Sequence, residues 1–223
     1  MTVDDFISAF RAGTLDVAKP FLWSAEEIVS YLNEAVQEAC ERARLIEDRS
    51  TPAVCAIGLV PGQSTYDLHA SVFEVKRLAL RGHPLTETSV EALDDQQPGW
   101  EVRSGAPRCF IFEQASGALP ARVRLVPTPM QAESLSLTVY RGALTPLNAD
   151  RGSDKPGIHE RYHPRLLDWM LHRAYLKQDA ETFNPTKAAQ SLTLFEQAFG
   201  ERPDANVQRK HRDLAPPIVR SNW

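Results

Sequence analysis

The chain has 223 residues, a formal net charge of −4, 43% hydrophobic and 24% charged residues, which suits one large globular domain, or one and a half at roughly 150 residues each. Disorder throughout is excluded, and so is a spanning helix, because no apolar run approaches the ~20 residues that cross a bilayer. The acidic balance argues against gripping nucleic acid by neutralising many phosphates, though not against a protein that merely surrounds DNA.

The opening MTVDDFISAF places two acids and no base before Arg11, the reverse of an export signal. Val3, Phe6, Ile7 and Phe10 form a short helical stripe that Gly13 can end. At Ser24 the run Ser-Ala-Glu-Glu27 reads as a capping box. Behind it Ile28, Leu32, Ala35, Val36, Ala39, Ala43 and Ile46 recur at three and four, predicting one helix of about 25 residues that Pro52 stops. From Ala53 to about Tyr140 the period changes to two. AVCAIGLV, SVFEVKRLAL, RCFIFEQ, ARVRLVP and SLSLTVYR read as strands of an antiparallel sheet or sandwich, with a helical turn at 89–93. Leu135, Leu137 and Val139 alternate with polar residues, so one face of that strand is wet or meets another subunit. Residues 147–157 are a loop by composition. Helix returns with Pro164 in its first turn and Leu166, Leu167, Met170, Leu171, Ala174 and Tyr175 as its stripe. Asn184-Pro185 opens the last helix, carried by Ala188, Leu192, Phe195 and Phe199 and closed by Gly200. The predicted class is α+β: a helical bundle built from N- and C-terminal helices (1–52 and 153–200), an inserted antiparallel β domain (53–152) and an extended C-terminal arm (201–223).

His159-Glu-Arg-Tyr-His163 matches the pattern in which two histidines one turn apart hold zinc and the glutamate activates water. The alternative function it raises is a zinc-dependent hydrolase using His159, Glu160 and His163. That geometry needs a continuous helix, yet Pro164 disfavours the α conformation at His163, so the motif straddles a helix start. A third ligand is poorly placed as well, Glu181 being the best candidate near the end of the same helix. Cys40, Cys55 and Cys109 are an odd, unpatterned set, suited to buried reduced thiols rather than a disulfide framework or metal ribbon. Trp169, Tyr175, Phe195 and Phe199 read as core. No nucleophile elbow or phosphate-cradling glycine run occurs, and no catalytic residue, metal ligand or cofactor is assigned.

The run from Trp23 (LWSAEEIVSYLNEAVQEACERARLIEDRSTPAVCAIGLVPGQSTYDLHASVFEVKRL) and the later HERYHPRLLDWMLHRAYLKQDAETFNPTKAAQSLTLFEQAFGERP resemble, in the same order, the two ends of the adaptor or head-to-tail connector proteins of tailed bacteriophages. In that family the second run commonly opens Ile-Pro-Glu-Arg-Tyr-His; Glu160 to His163 match and His159 replaces the proline. The resemblance implies a structural virion protein at the head-to-tail junction, made in the host bacterial cytoplasm. It implies a homo-oligomeric ring of about twelve copies beneath the portal protein, a tail or nozzle protein beyond it, double-stranded DNA in its lumen, and no membrane.

The last 23 residues carry five bases and three acids, against five bases and ten acids in residues 1–50. Arg202, Arg209, Lys210, Arg212, Ile218, Arg220 and Trp223, interleaved with prolines, cannot form a core of their own and are assigned to partner binding.

Overall fold

A computed structural model describes residues 1–179 and 182–202. In chain order the elements are α1 (Val3–Thr14), α2 (Ala25–Ala43), β1 (Glu47–Asp48), α3 (Pro52–Cys55), β2 (Ala56–Gly58), β3 (Thr65–Asp67), β4 (Val72–Leu80), β5 (His83–Pro84) and β6 (Thr86–Glu87). They continue with α4 (Val90–Gln96), β7 (Cys109–Glu113), β8 (Arg122–Val126), β9 (Ser134–Arg141), α5 (His163–Tyr175) and α6 (Pro185–Phe199). Two compact units result, Met1–Ile46 with Arg141–Arg202, and Glu47–Tyr140. The α+β class stands as expected; the arm beyond Arg202 lies outside the described residues.

In the helical unit α5 packs against α1, α2 and α6: its apolar stripe Leu166, Met170 and Ala174 is fully buried, as are Phe6 and Phe10 of α1, Leu32 of α2 and Phe195 of α6. Burying a side chain of this size contributes about 1.5–3 kcal/mol. Helix α1 begins in a capping box: Thr2 Oγ1 accepts from the Asp5 amide at 3.2 Å and the Asp5 carboxylate accepts from the Thr2 amide at 2.8 Å. Two more amides at that end, Val3 and Asp4, donate to the carbonyls of Asp154 and Gly152, so the 147–157 loop is docked onto α1. Asn33 ties the same loop to α2, donating to the Leu147 carbonyl and accepting from its amide.

Two helix ends differ from expectation. Gly13 does not stop α1; it lies inside the helix, with Leu171 Cδ2 3.4 Å from where a Cβ would stand, and Leu15 takes the left-handed cap at φ 62°. Helix α2 ends at Ala43 rather than running to Pro52, because Arg44 turns left-handed at φ 49°. Ala43 is consequently exposed and Ile46 only half-buried. Ser24 does cap α2 by accepting from the Glu27 amide. The Glu27 carboxylate does not close the box, however; it accepts from Tyr31 at 2.8 Å and from Lys177 at 2.9 Å.

The β unit is two sheets closed over one core. One has the order β1-β9-β4-β5 with β2 also on β9, the other β3-β8-β7-β6. Val75, Leu78 and Leu80 of β4, Phe110 and Phe112 of β7, Val123 and Leu125 of β8, and Leu135, Leu137 and Val139 of β9 share that core. The alternation of β9 survives as expected, with Ser134 and Ser136 on the exposed face. AVCAIGLV is not one strand. Buried Asp48 accepts from the Ser50 and Thr51 amides and Pro52 opens a helical turn, so only Ala56–Gly58 pairs with β9. The sheets are not wholly antiparallel either, since β6 runs parallel to β7. A parallel pair needs a crossover, and the predicted turn at 89–93 has become its helix, α4. Its Leu93 covers Trp100, Ile111 and Val126 in a second small core.

Candidate assembly surface

The segment 159–163 enters α5. His159 caps a single 3-10 turn (Glu160–Tyr162), its Nδ1 accepting from the Arg161 amide at 3.2 Å. Glu160 is exposed and pairs with Lys155 at 2.8 Å. His163 points the other way, into the core against Phe6. Its Nε2 lies 3.1 Å from the Ile158 carbonyl, and its Nδ1 lies 2.9 Å from the Met1 ammonium. These partners fix the tautomer: Nε2 carries the proton and donates, Nδ1 accepts. Burial pushes the imidazole below its usual range, opposed by the Ile158 hydrogen bond. The two histidines therefore face apart and both nitrogens of His163 are engaged. Glu181 lies outside the described residues, and among the described residues no group of three or more His, Cys, Asp and Glu side chains is arranged to hold a metal.

The thiols are equally committed. Cys40 is fully buried on α2 and pushed up to about 12 by that burial. Cys55 is buried in α3 rather than in a strand, and burial also raises half-buried Cys109. Phe195 and Phe199 are core, as expected, whereas Trp169 and Tyr175 are only half-buried.

Of the seven arm residues, Arg202 is described; Arg209, Lys210, Arg212, Ile218, Arg220 and Trp223 lie outside the described residues. The point of departure is built carefully. Arg42 of α2, its side chain 4% exposed, pairs with Glu38 at 2.9 Å. It also donates to the Gly200 carbonyl at 3.3 Å and lies over the rings of Trp169 and Phe195. The end of α6 is thereby tied to α2, and Arg202 stands 3.7 Å from Glu38 and 3.8 Å from Glu41.

Sequence reasoning missed the loop between α1 and α2. Asp16 is buried there, accepting from Arg11 Nη1 at 2.7 Å, the Leu22 amide at 2.9 Å and the Trp23 amide at 3.4 Å. Arg11 Nη2 donates to the Trp23 carbonyl at 3.0 Å, and its guanidinium lies 3.6 Å from the Phe21 ring centroid. A loop braced this way presents Leu15 and Val17 outward, 82% and 71% exposed, beside Leu22. Leu15 and Val17 thus stand as exposed apolar side chains on a loop whose backbone is held by the buried Asp16 carboxylate. The available signal was a cluster of Leu, Val, Phe and Leu in a stretch without helical or strand period.

No helix among the described residues is long and apolar enough to cross a membrane. No curated protein matches the chain significantly. The family model of the SU10 adaptor protein matches residues 1–220, spanning the helical unit, the β unit and nearly all of the arm. The chain thus belongs to the SU10 adaptor protein family, a family of phage head-to-tail adaptors.

Proposed function

We propose that the protein forms a ring of about twelve copies between the portal and the tail of a bacteriophage. The observation that supports this is the adaptor family match along residues 1–220. The portal protein lies on one side and a tail or nozzle protein on the other, with neighbouring copies alongside. The work is structural rather than catalytic, in the virion, after synthesis in the host bacterial cytoplasm. Double-stranded DNA passes through the lumen without sequence-specific contact, and the net charge of −4 suits a channel in which DNA slides rather than sticks. The zinc hydrolase has no arrangement of His159, Glu160 and His163 in its favour.

An isolated ring subunit exposes its lateral faces until a template supplies their partners. Purified protein should therefore be a monomer by light scattering, and mixing it with portal should yield rings in negative-stain images. Failure to form rings with portal present would overturn the proposal. The arm belongs to it as well: in the ring Arg202, Arg209, Lys210, Arg212, Ile218, Arg220 and Trp223 order on a partner. Its apolar residues fill pockets and its guanidinium groups pair with surrounding carboxylates.

A further inference from the structure

Of the thirteen large apolar side chains exposed among the described residues, six stand at one end of the helical unit: Leu15, Val17, Phe21, Leu22, Leu176 and Phe183, each 39–82% exposed. Hydrogen bonds gather them there. Lys177, next to Leu176, donates to the Leu22 carbonyl at 3.2 Å, and the Tyr175 hydroxyl donates to the Gly13 carbonyl at 3.4 Å. The Asn184 amide, next to Phe183, donates to the Tyr175 carbonyl at 2.9 Å. An exposed apolar group of this extent marks a surface that meets another molecule. Glu26 and Glu27 at the start of α2 are engaged by Ser24 and Lys177. Two cations at the rim are open: Lys19 lies 5.9 Å from the Phe21 ring centroid and Lys187 5.2 Å from that of Tyr175, with no carboxylate paired to either among the described residues.

Helix α4 of the β unit carries the complement. Leu93 points into the small core with Trp100, so Glu91 and Asp95 turn to the opposite face of the helix and stand exposed. Four residues apart and of like charge, they repel each other. Asp94 is taken by the Trp100 indole at 2.8 Å and Glu101 by Arg124 at 3.0 Å, but neither Glu91 nor Asp95 has a cation paired to it among the described residues. Val90 and Val102, 38% and 87% exposed, supply apolar surface at the same place. Val90 opens α4, and the indole bond ties the turn Trp100–Val102 to that helix. Many other surface carboxylates are answered within the chain, among them Glu34, Glu47, Asp67, Glu133 and Glu160.

We propose that the apolar end of one copy's helical unit rests on α4 of the next copy, with Lys19 and Lys187 against Glu91 and Asp95 and the apolar side chains closing over Val90 and Val102. The inference rests on the ring proposal and adds which two surfaces meet in it. Two apolar ends do not pair with each other, because the open lysines of one would face those of the other. The chain leaves the helical unit for its own β unit at the opposite end of α2, where the Arg141 amide donates to the Ile46 carbonyl at 3.1 Å, about 28 Å of helix away. The α4 that meets this end is therefore the next copy's. Unlike surfaces that fit each other make a heterologous contact, so each copy gives one and accepts one, and the series closes into a ring.

Charge reversal in the full-length protein tests it, with rings counted in negative-stain images after mixing with portal. Lys19→Glu with Lys187→Glu should lower the yield of rings several-fold, as should Glu91→Lys with Asp95→Lys. All four substitutions in one chain should restore it, since each contact then regains opposite charges. The side chains are exposed, so melting temperatures should stay nearly unchanged and report that every variant folds. Wild-type rings built from a mixture of ordinary and nitrogen-15-labelled copies give a second reading. Zero-length carbodiimide coupling should join Lys19 or Lys187 to Glu91 or Asp95 in peptides of mixed isotope, which only two different copies can form. Reversed variants that form rings as well as wild type, a fourfold variant that stays impaired, or links confined to one chain or to portal would overturn this contact and leave the ring itself standing. Wild-type protein that forms no ring with portal would overturn both.

Discussion

At the scale of the residue, polar side chains buried at the ends of helices decide the local geometry. Asp16 is the clearest case, since one carboxylate holds Arg11 and two amides of the loop it belongs to. Removing it strands those donors, and a buried unsatisfied group costs about 1–3 kcal/mol. Asp16→Ala should lower stability in urea by that amount and raise hydrogen exchange in residues 15–24. Leu15→Ser with Val17→Ser should leave the melting temperature nearly unchanged, because both side chains already face water. His163 carries a pH dependence. Its folded value is pushed below the usual one by burial, so the neutral imidazole contributes stability fully above the unfolded value of ~6.5. Below that, the unfolded chain takes up a proton that the folded chain resists, and stability falls as pH drops toward the folded value. Denaturation midpoints of wild type and His163→Gln between pH 8 and 5 should converge on the acid side; parallel curves would show that another group carries the slope.

At the scale of the element, α2, α5 and α6 form the frame from which the arm departs, joined at the cluster of Arg42, Trp169, Phe195 and Phe199. Phe195 is fully buried there. Phe195→Ala should cost about 3–5 kcal/mol, measurable as a lowered urea midpoint. How much of this architecture was legible depended on length. Helices α5 and α6 repeat their stripes over several turns, β8 and β9 alternate far enough for a period to declare itself, and β4 and β7 stand out as runs rich in aliphatic and aromatic side chains. Strands β1, β5 and β6 have two residues each and no period at all, so the parallel contact of β6 with β7 could not be foreseen. The break at α3 depends on the buried Asp48 carboxylate gathering two amides, a contact that composition conceals. Left-handed caps at Leu15 and Arg44 were also invisible, since glycine is the residue that usually announces them. The arm was legible only as chemistry, through bases and prolines without a stripe, and the braced apolar loop only as an absence of period.

At the scale of the whole molecule, the adaptor proposal makes demands that the subunit alone does not meet. Binding of duplex DNA at physiological salt should be no tighter than ordinary non-specific affinity, ~10⁻⁴–10⁻⁶ M; nanomolar, salt-resistant binding in a filter assay would reveal a recognition surface. Deleting 203–223 should leave the monomer's melting temperature little changed, since the buried apolar side chains of both units come from residues before 203, while weakening incorporation into portal-bound rings. Rings that form as well without the tail would remove the arm from assembly. The helical unit is drawn from both ends of the chain, residues 1–46 and 141–202, and the β unit lies wholly between them. During synthesis α1 and α2 leave the ribosome roughly a hundred residues before the α5 stripe that covers them, and the β unit has its entire sequence available first. Through that interval Phe10 has Trp23 and Tyr31 beside it, but α1 and α2 lack the α5 side that packs on both. A nascent chain halted before α5 should therefore be held by chaperones through its first fifty residues, and a complete helical unit exists only after translation has passed α6.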